Sequence, residues 1–192
     1  KTLHPNIFGG ILLRRDDAGD LKQSEAYEIQ PIDLVIVDLY PFEETVARGG
    51  TEEEIIEKID IGGISLIRAA AKNYRDVLIV SSRRQYPALL ELLSSSQCAS
   101  SMDQRKHFAA LAFDVTSHYD SAIFSHFNTP AAIPSFKISI QQGRALRYGE
   151  NPHQEGKFYA DLDGFFDQLN GKELSYNNLV DADAAVALVK EF

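Results

Sequence analysis

Three short strings in this chain join ionisable side chains to glycine or proline, a combination that sets reactive groups on tight loops. The first is Lys1-Thr2-Leu3-His4-Pro5, followed by Gly9-Gly10. Lys1 and Thr2 together suit an oxyanion or phosphate, and glycine lets the backbone approach closely. An exposed, charged terminus is the plainer reading. The second is Asp60-Ile61-Gly62-Gly63, with Lys72-Asn73 further on. Its glycines would expose N–H groups at a helix N-terminus, a natural anion site, and Asp60 is suited to accept or relay a proton. The same residues also read as punctuation between two helices, with Asp60 as an N-cap. Lys72 either carries a cation to a cleft mouth or complements the end of its helix dipole, with Arg68 one turn earlier on the same face. The third string is Arg147-Tyr148-Gly149-Glu150-Asn151-Pro152-His153-Gln154. Arg147 suits two-pronged pairing with phosphate, and Tyr148 suits stacking on a flat base. The strings lie too far apart for one local site, so two small-molecule sites are expected.

These residues need a scaffold, and the apolar pattern supplies one. Residues 34–40 form an apolar run ending in Asp38-Leu39-Tyr40 and stopped by Pro41, and residues 77–80 form a second. Both are nearly continuous rather than alternating, as in parallel strands covered on both faces. Ligands of open α/β sheets sit beyond the carboxyl ends of strands, which favours Tyr40 for function over the other tyrosines before residue 128. Thr51 and Glu54 make a capping box. Leu66, Ile67, Ala70 and Ala71 give one helix an apolar face. Residues 87–94 read as a short amphipathic helix, and residues 103–126 as a longer one carrying Phe108, Leu111, Ala112, Val115 and Tyr119. His107, His118 and His126 fall on or near it and read as surface or satisfied histidines. The alternation of strands and helices predicts an α/β layered domain.

Residues 128–135, with two prolines, are the best linker. Beyond them, 136–141 and 157–160 read as strands and 181–191 as a helix. About 57 residues follow the linker, few for a domain core. The chain has no initiator Met and opens inside a motif, so it is expected to be an interior piece of a longer protein.

A formal charge of −9 argues against nonspecific binding to nucleic acid. No run approaches the roughly 20 apolar residues that span a bilayer, so no membrane partner is expected. One cysteine, Cys98, excludes an internal disulfide and fits a reducing compartment, with a cytoplasmic location expected. Five scattered histidines show no zinc spacing, and no metal is expected.

Lys-Thr-Leu-His-Pro, Asp-Leu-Tyr-Pro-Phe, Ile-Asp-Ile-Gly-Gly, Ile-Arg-Ala-Ala-Ala-Lys-Asn and Arg-Tyr-Gly-Glu-Asn-Pro-His-Gln occur here in order. Over essentially its whole length the chain resembles the family of bifunctional purine-biosynthesis proteins that are both phosphoribosylaminoimidazolecarboxamide (AICAR) formyltransferase and IMP cyclohydrolase. The resemblance implies that residues 1–135 are a cyclohydrolase domain of methylglyoxal-synthase-like α/β fold, mainly parallel, whose first strands and phosphate loops lie before Lys1. It implies that residues 136–192 open a cytidine-deaminase-like formyltransferase domain whose catalytic Lys-His pair lies beyond Phe192.

The resemblance further implies a cyclohydrolase site of Lys1, Thr2, Tyr40, Asp60, Gly62, Gly63, Lys72 and Asn73, and a formyltransferase substrate site with Arg147, Tyr148 and Asn178. Lys1, Tyr40, Asp60 and Lys72 would be catalytic, the others substrate-binding. The reaction implied is closure of formylated AICAR to IMP with loss of water, without a cofactor. Formyl transfer in the whole protein would use 10-formyltetrahydrofolate. The partner is a small purine-precursor nucleotide, and a homodimer is expected. The scheme requires Asp60 and Lys72 to share one hollow. Asp38 stands where the family usually has Asn, and Phe8 where it often has His. Two alternatives are an inactive nucleotide-binding or dimerisation module, and a regulatory nucleotide-binding domain of the same fold.

Overall fold

The computed structural model describes residues 3–129 and 132–192. The chain divides into two compact units, one ending at Lys137 and the other starting at Ile138.

In the first unit β1 (Leu34–Ile36) pairs in parallel with β2 (Leu78–Val80), with Val35 opposite Ile79. The apolar run 34–40 is paired only in its first half. The Val37 N–H still bonds to the Val80 carbonyl, and the chain then leaves the sheet before Pro41, which has no N–H to donate. The connection to β2 passes through α3 (Phe42–Ala47), α4 (Glu52–Ile56) and α5 (Gly62–Lys72). The capping box predicted at Thr51 and Glu54 starts α4.

The two faces of the sheet are covered differently. Ile67, Ala70 and Ala71 of α5 pack with Ile11 of α1 (Pro5–Leu12), Val35 and Ile79. Leu78 and Val80 meet Leu89 and Leu92 of α6 (Tyr86–Ser95), and Phe108 of α7 (Met102–Phe127). Every residue of β2 is therefore buried, which is why its sequence does not alternate. The buried stripe of α7 is Phe108, Ala109, Ala112, Thr116 and Tyr119. Its His118 and His126 approach Glu43 and Glu52. Among the described residues no helix is long and apolar enough to cross a membrane.

From His4 onward the opening string leads into a helix. His4 caps α1, its Nδ1 accepting the Asn6 N–H, and Gly9 and Gly10 lie inside the helix. A Cβ on Gly10 would lie 2.3 Å from the Gln30 carbonyl oxygen, so this glycine lets residues 29–32 pass close against α1. A second helix, α2 (Ala18–Ala26), capped by Asp17, was not foreseen and buries no residue.

In the second unit β3 (Arg144–Leu146) runs antiparallel to β4 (Gly156–Phe158), and α8 (Tyr176–Glu191) follows. The strand expected over 136–141 does not form. Phe136, Ile138 and Ile140 alternate as a strand would, but all three are exposed and no neighbouring strand among the described residues pairs with them. Helix α8 starts five residues before the expected position because Ser175 and Asn178 form a capping box.

Candidate active site

Helix α5 runs against the strands, so its N-terminus lies at their carboxyl edge and its C-terminus at their amino edge. At the carboxyl edge Asp60 turns its carboxylate back onto the helix, where Oδ1 accepts the Gly63 N–H at 2.6 Å. A Cβ on Gly63 would fall 2.6 Å from Asp60 Oδ2, so only glycine leaves room for this arrangement. Of the two readings of the Asp60-to-Gly63 string, the structure shows the capping one. The Gly63 N–H is spent on Asp60, while Oδ2 takes no hydrogen bond among the described residues.

The loop ahead of α5 is anchored by Tyr119, a residue that sequence periodicity assigned only to the core. Its hydroxyl accepts the Asp60 backbone N–H at 2.9 Å and donates to the Lys58 carbonyl at 2.5 Å. Burial is the main cause raising the Tyr119 pKa, which keeps the phenol protonated and able to donate. Phe42, fully buried, sets its ring edge against Tyr119 at 6.1 Å. The Asp38-to-Phe42 string thus divides its labour. Phe42 enters the core, Thr45 is tied back to the Pro41 carbonyl at 2.8 Å, and Tyr40 stands out, 55% exposed. The Lys58 ammonium lies 5.8 Å from the centroid of the Tyr40 ring. Lys58 was missed in the sequence, where its only signal is proximity to Asp60. Tyr40, Lys58, Asp60, Gly62 and Gly63 therefore gather at one edge.

Lys72 and Asn73 lie elsewhere. The 11 residues of α5 rise roughly 16 Å, and this length separates Lys72 from Asp60. The structure does not bring the two into a shared hollow within this chain. Lys72 instead lines a cleft of about 490 Å³ with Leu12, Arg14, Asp16, Arg75 and Asp76. Asn73 is buried and spends its amide N–H groups on the carbonyls of Ile11 and Leu13, tying α5 to the end of α1. Arg68 lies over the Phe113 ring at 5.6 Å. Lys1 and Thr2 lie outside the described residues.

In the second unit the Arg147-to-Gln154 string is the loop closing β3 and β4. The Gly149 N–H bonds to the Gln154 carbonyl, and the Asn151 N–H to Gln154 Oε1. Helix α8 holds the loop through the Tyr176 N–H on the Tyr148 carbonyl and the Asn177 amide on the Glu150 carbonyl. The Arg147 guanidinium lies 4.8 Å from the Tyr148 ring centroid and donates to its hydroxyl at 3.1 Å. The hydroxyl of Ser175, and after it Arg147, lower the Tyr148 pKa. Asn178 is occupied as a cap, its Oδ1 accepting from the Ser175 N–H and hydroxyl. A hollow of about 540 Å³ beside this loop is lined by Glu150, Gln154, Lys157 and Tyr176 among others.

The model of the family described as AICARFT/IMPCHase bienzyme matches residues 70–192. The whole chain is 60% identical to 38% of a bifunctional purine biosynthesis protein PurH from Bacteroides thetaiotaomicron. It is 46% identical to 39% of the protein so named from Myxococcus xanthus, and 47% identical to 40% of the one from Rippkaea orientalis. The chain thus spans about two-fifths of the length of the curated relatives it matches. Among solved structures, the crystal structure of ForH matches 69% of this chain and 68% of its own at 30% identity, with a TM-score of 0.56.

Proposed function

The chain belongs to the AICARFT/IMPCHase bienzyme family, and from that premise we propose that its first unit closes formylated AICAR to IMP. The observation that carries this reading is the gathering of Asp60, Tyr40 and Lys58 at the carboxyl edge of the parallel strands, where α/β sheets receive their ligands.

In the proposed reaction the carboxamide nitrogen attacks the formyl carbon of the same molecule. A new C–N bond forms, the carboxamide nitrogen and the formamide nitrogen each give up one proton, the bond from the formyl carbon to its oxygen breaks, and that oxygen leaves with the two protons as water. The site first holds the two groups in attacking geometry. Asp60 Oδ2 is the acceptor for the carboxamide proton, because Oδ1 is held by Gly63. The Lys58 ammonium, 5.8 Å from the centroid of the Tyr40 ring, and the Tyr40 hydroxyl are proposed to steady the oxygen that becomes anionic. Lys1 and Thr2 are proposed for the phosphate or that oxygen on the resemblance alone. The chemistry calls for neither metal nor redox cofactor.

The finer fold assignments, methylglyoxal-synthase-like for the first unit and cytidine-deaminase-like for the second, belong to the same proposal. The second unit would contribute Arg147 and Tyr148 to the formyltransferase substrate site. In the complete protein 10-formyltetrahydrofolate would supply the formyl group. A homodimer in the cytoplasm is the proposed setting.

The test uses the complete polypeptide. Asp60→Asn should lower the rate of ring closure about a hundredfold and leave formyl transfer unchanged. An equal fall in both activities, or no fall in ring closure, overturns the assignment. One observation favours a second reading, an inactive nucleotide-binding or dimerisation module: Lys72 stands a full helix length from Asp60. Nucleotide binding by the unaltered protein without ring closure would establish it.

A further inference from the structure

The carboxyl edge holds a second polar cluster that the ring-closure chemistry leaves unused. Asp38 follows β1, and residues 83–86 follow β2, so the parallel pairing delivers both segments to the same edge. The Tyr86 hydroxyl donates to Asp38 Oδ2 at 2.6 Å, and Arg83 Nε lies 3.5 Å from the same oxygen. Asp38 Oδ1 takes no hydrogen bond among the described residues.

The partners are held from beneath. Ser81 and Gln85 are both buried; the Ser81 N–H bonds to Gln85 Oε1 at 2.9 Å, and the Gln85 amide to the Ser81 hydroxyl at 3.2 Å. These bonds fix the turn Arg83–Gln85 and the start of α6, where Tyr86 stands. The Asp38 side chain is 29% exposed and that of Arg83 84%, so the carboxylate sits in the edge and the cation covers it from outside.

A carboxylate here poses a physical problem for a site that takes a phosphorylated ligand. Its charge repels the phosphate, and it accepts hydrogen bonds but donates none. Arg83 offsets the charge, and Tyr86 supplies a donor to one oxygen, leaving the other as a fixed acceptor.

We infer that Tyr86 and Arg83 are positioning residues of the ring-closure site: they hold Asp38 through Oδ2 and offset its charge, so that Oδ1 accepts an N–H from the carboxamide of the substrate. This rests on the ring-closure reading above. The experiment measures kcat and KM for ring closure by the complete polypeptide. It compares the unaltered protein with Tyr86→Phe, Arg83→Ala and Asp38→Asn, and with Asp38→Asn combined with each of the other two. Each of the first two changes should raise KM about two- to fivefold with kcat little altered. In the Asp38→Asn background the same changes should leave KM unmoved, because no carboxylate remains to hold. Equal rises of KM in both backgrounds, or no rise in either, overturn the inference. An unaltered protein that closes no ring overturns the reading beneath it, and is distinguishable because the variants are then never needed.

Discussion

A single hydroxyl sets the position of the proposed catalytic carboxylate. The Tyr119 phenol satisfies the Asp60 N–H and the Lys58 carbonyl together, so one side chain on α7 holds both ends of the loop that carries Asp60. Phe in its place keeps the ring, and with it the contact to Phe42, but leaves two part-buried backbone groups without a partner. Tyr119→Phe should therefore cost about 1–3 kcal/mol, measured as a fall in unfolding midpoint in urea. Ring closure should weaken further than that loss explains, because Asp60 is no longer held. Gly63 belongs to the same arrangement, since no side chain fits between it and the Asp60 carboxylate. Asn73 and Asn178 show the opposite case. Asn73 gives its amide N–H groups to the Ile11 and Leu13 carbonyls, while Asn178 commits only its amide oxygen, which accepts from the Ser175 N–H and hydroxyl.

Helix α5 decides which candidate residues can act together. Asp60 lies on the loop just ahead of its first turn and Lys72 in its last, and its apolar face fills the space between them with core. Groups farther apart than about 10 Å with no shared partner act independently. The losses in kcat/KM from Asp60→Asn and Lys72→Ala, expressed as free energies, should therefore add in the double variant to within about 0.5 kcal/mol. A clearly smaller combined loss would mean that the two share a step despite the helix between them. Helix α2 has a different dependence. Arg14 grips Asp20 with Nε and a terminal nitrogen, both at 2.8 Å, and the Arg14 side chain is the main cause holding the Asp20 pKa at about 2 instead of the ordinary 3.8.

At the scale of the molecule, that pairing shapes the response to acid. A carboxyl group whose folded pKa is depressed contributes stability above its unfolded value and loses it as pH falls through the folded one. The first unit should lose part of its stability between about pH 4 and pH 2, and Asp20→Asn should flatten that part of the curve in unfolding followed by circular dichroism. The pair is exposed, so the contribution is small. The two units differ in kind. The first buries every residue of β2, while the second has one short antiparallel pair and a helix that buries no residue, with Val186, Leu188 and Val189 exposed.

The sequence by itself determined the local features. The cap at Thr51, the long stripe of α7 and the buried character of β2 all follow from side-chain chemistry acting within a few residues. The five motif strings also sufficed to indicate the family. Tertiary structure alone decided which of those strings meet. Strand pairing carried Asp38 to Tyr86 and Arg83, and the packing of α7 carried Tyr119 to a loop 59 positions away. The length of α5, a helix already legible in the sequence, parts Asp60 from Lys72, which motif order had joined. Hydrophobic periodicity marks the face a residue turns inward, but contacts across the core depend on helix direction and sheet order, which no local pattern encodes.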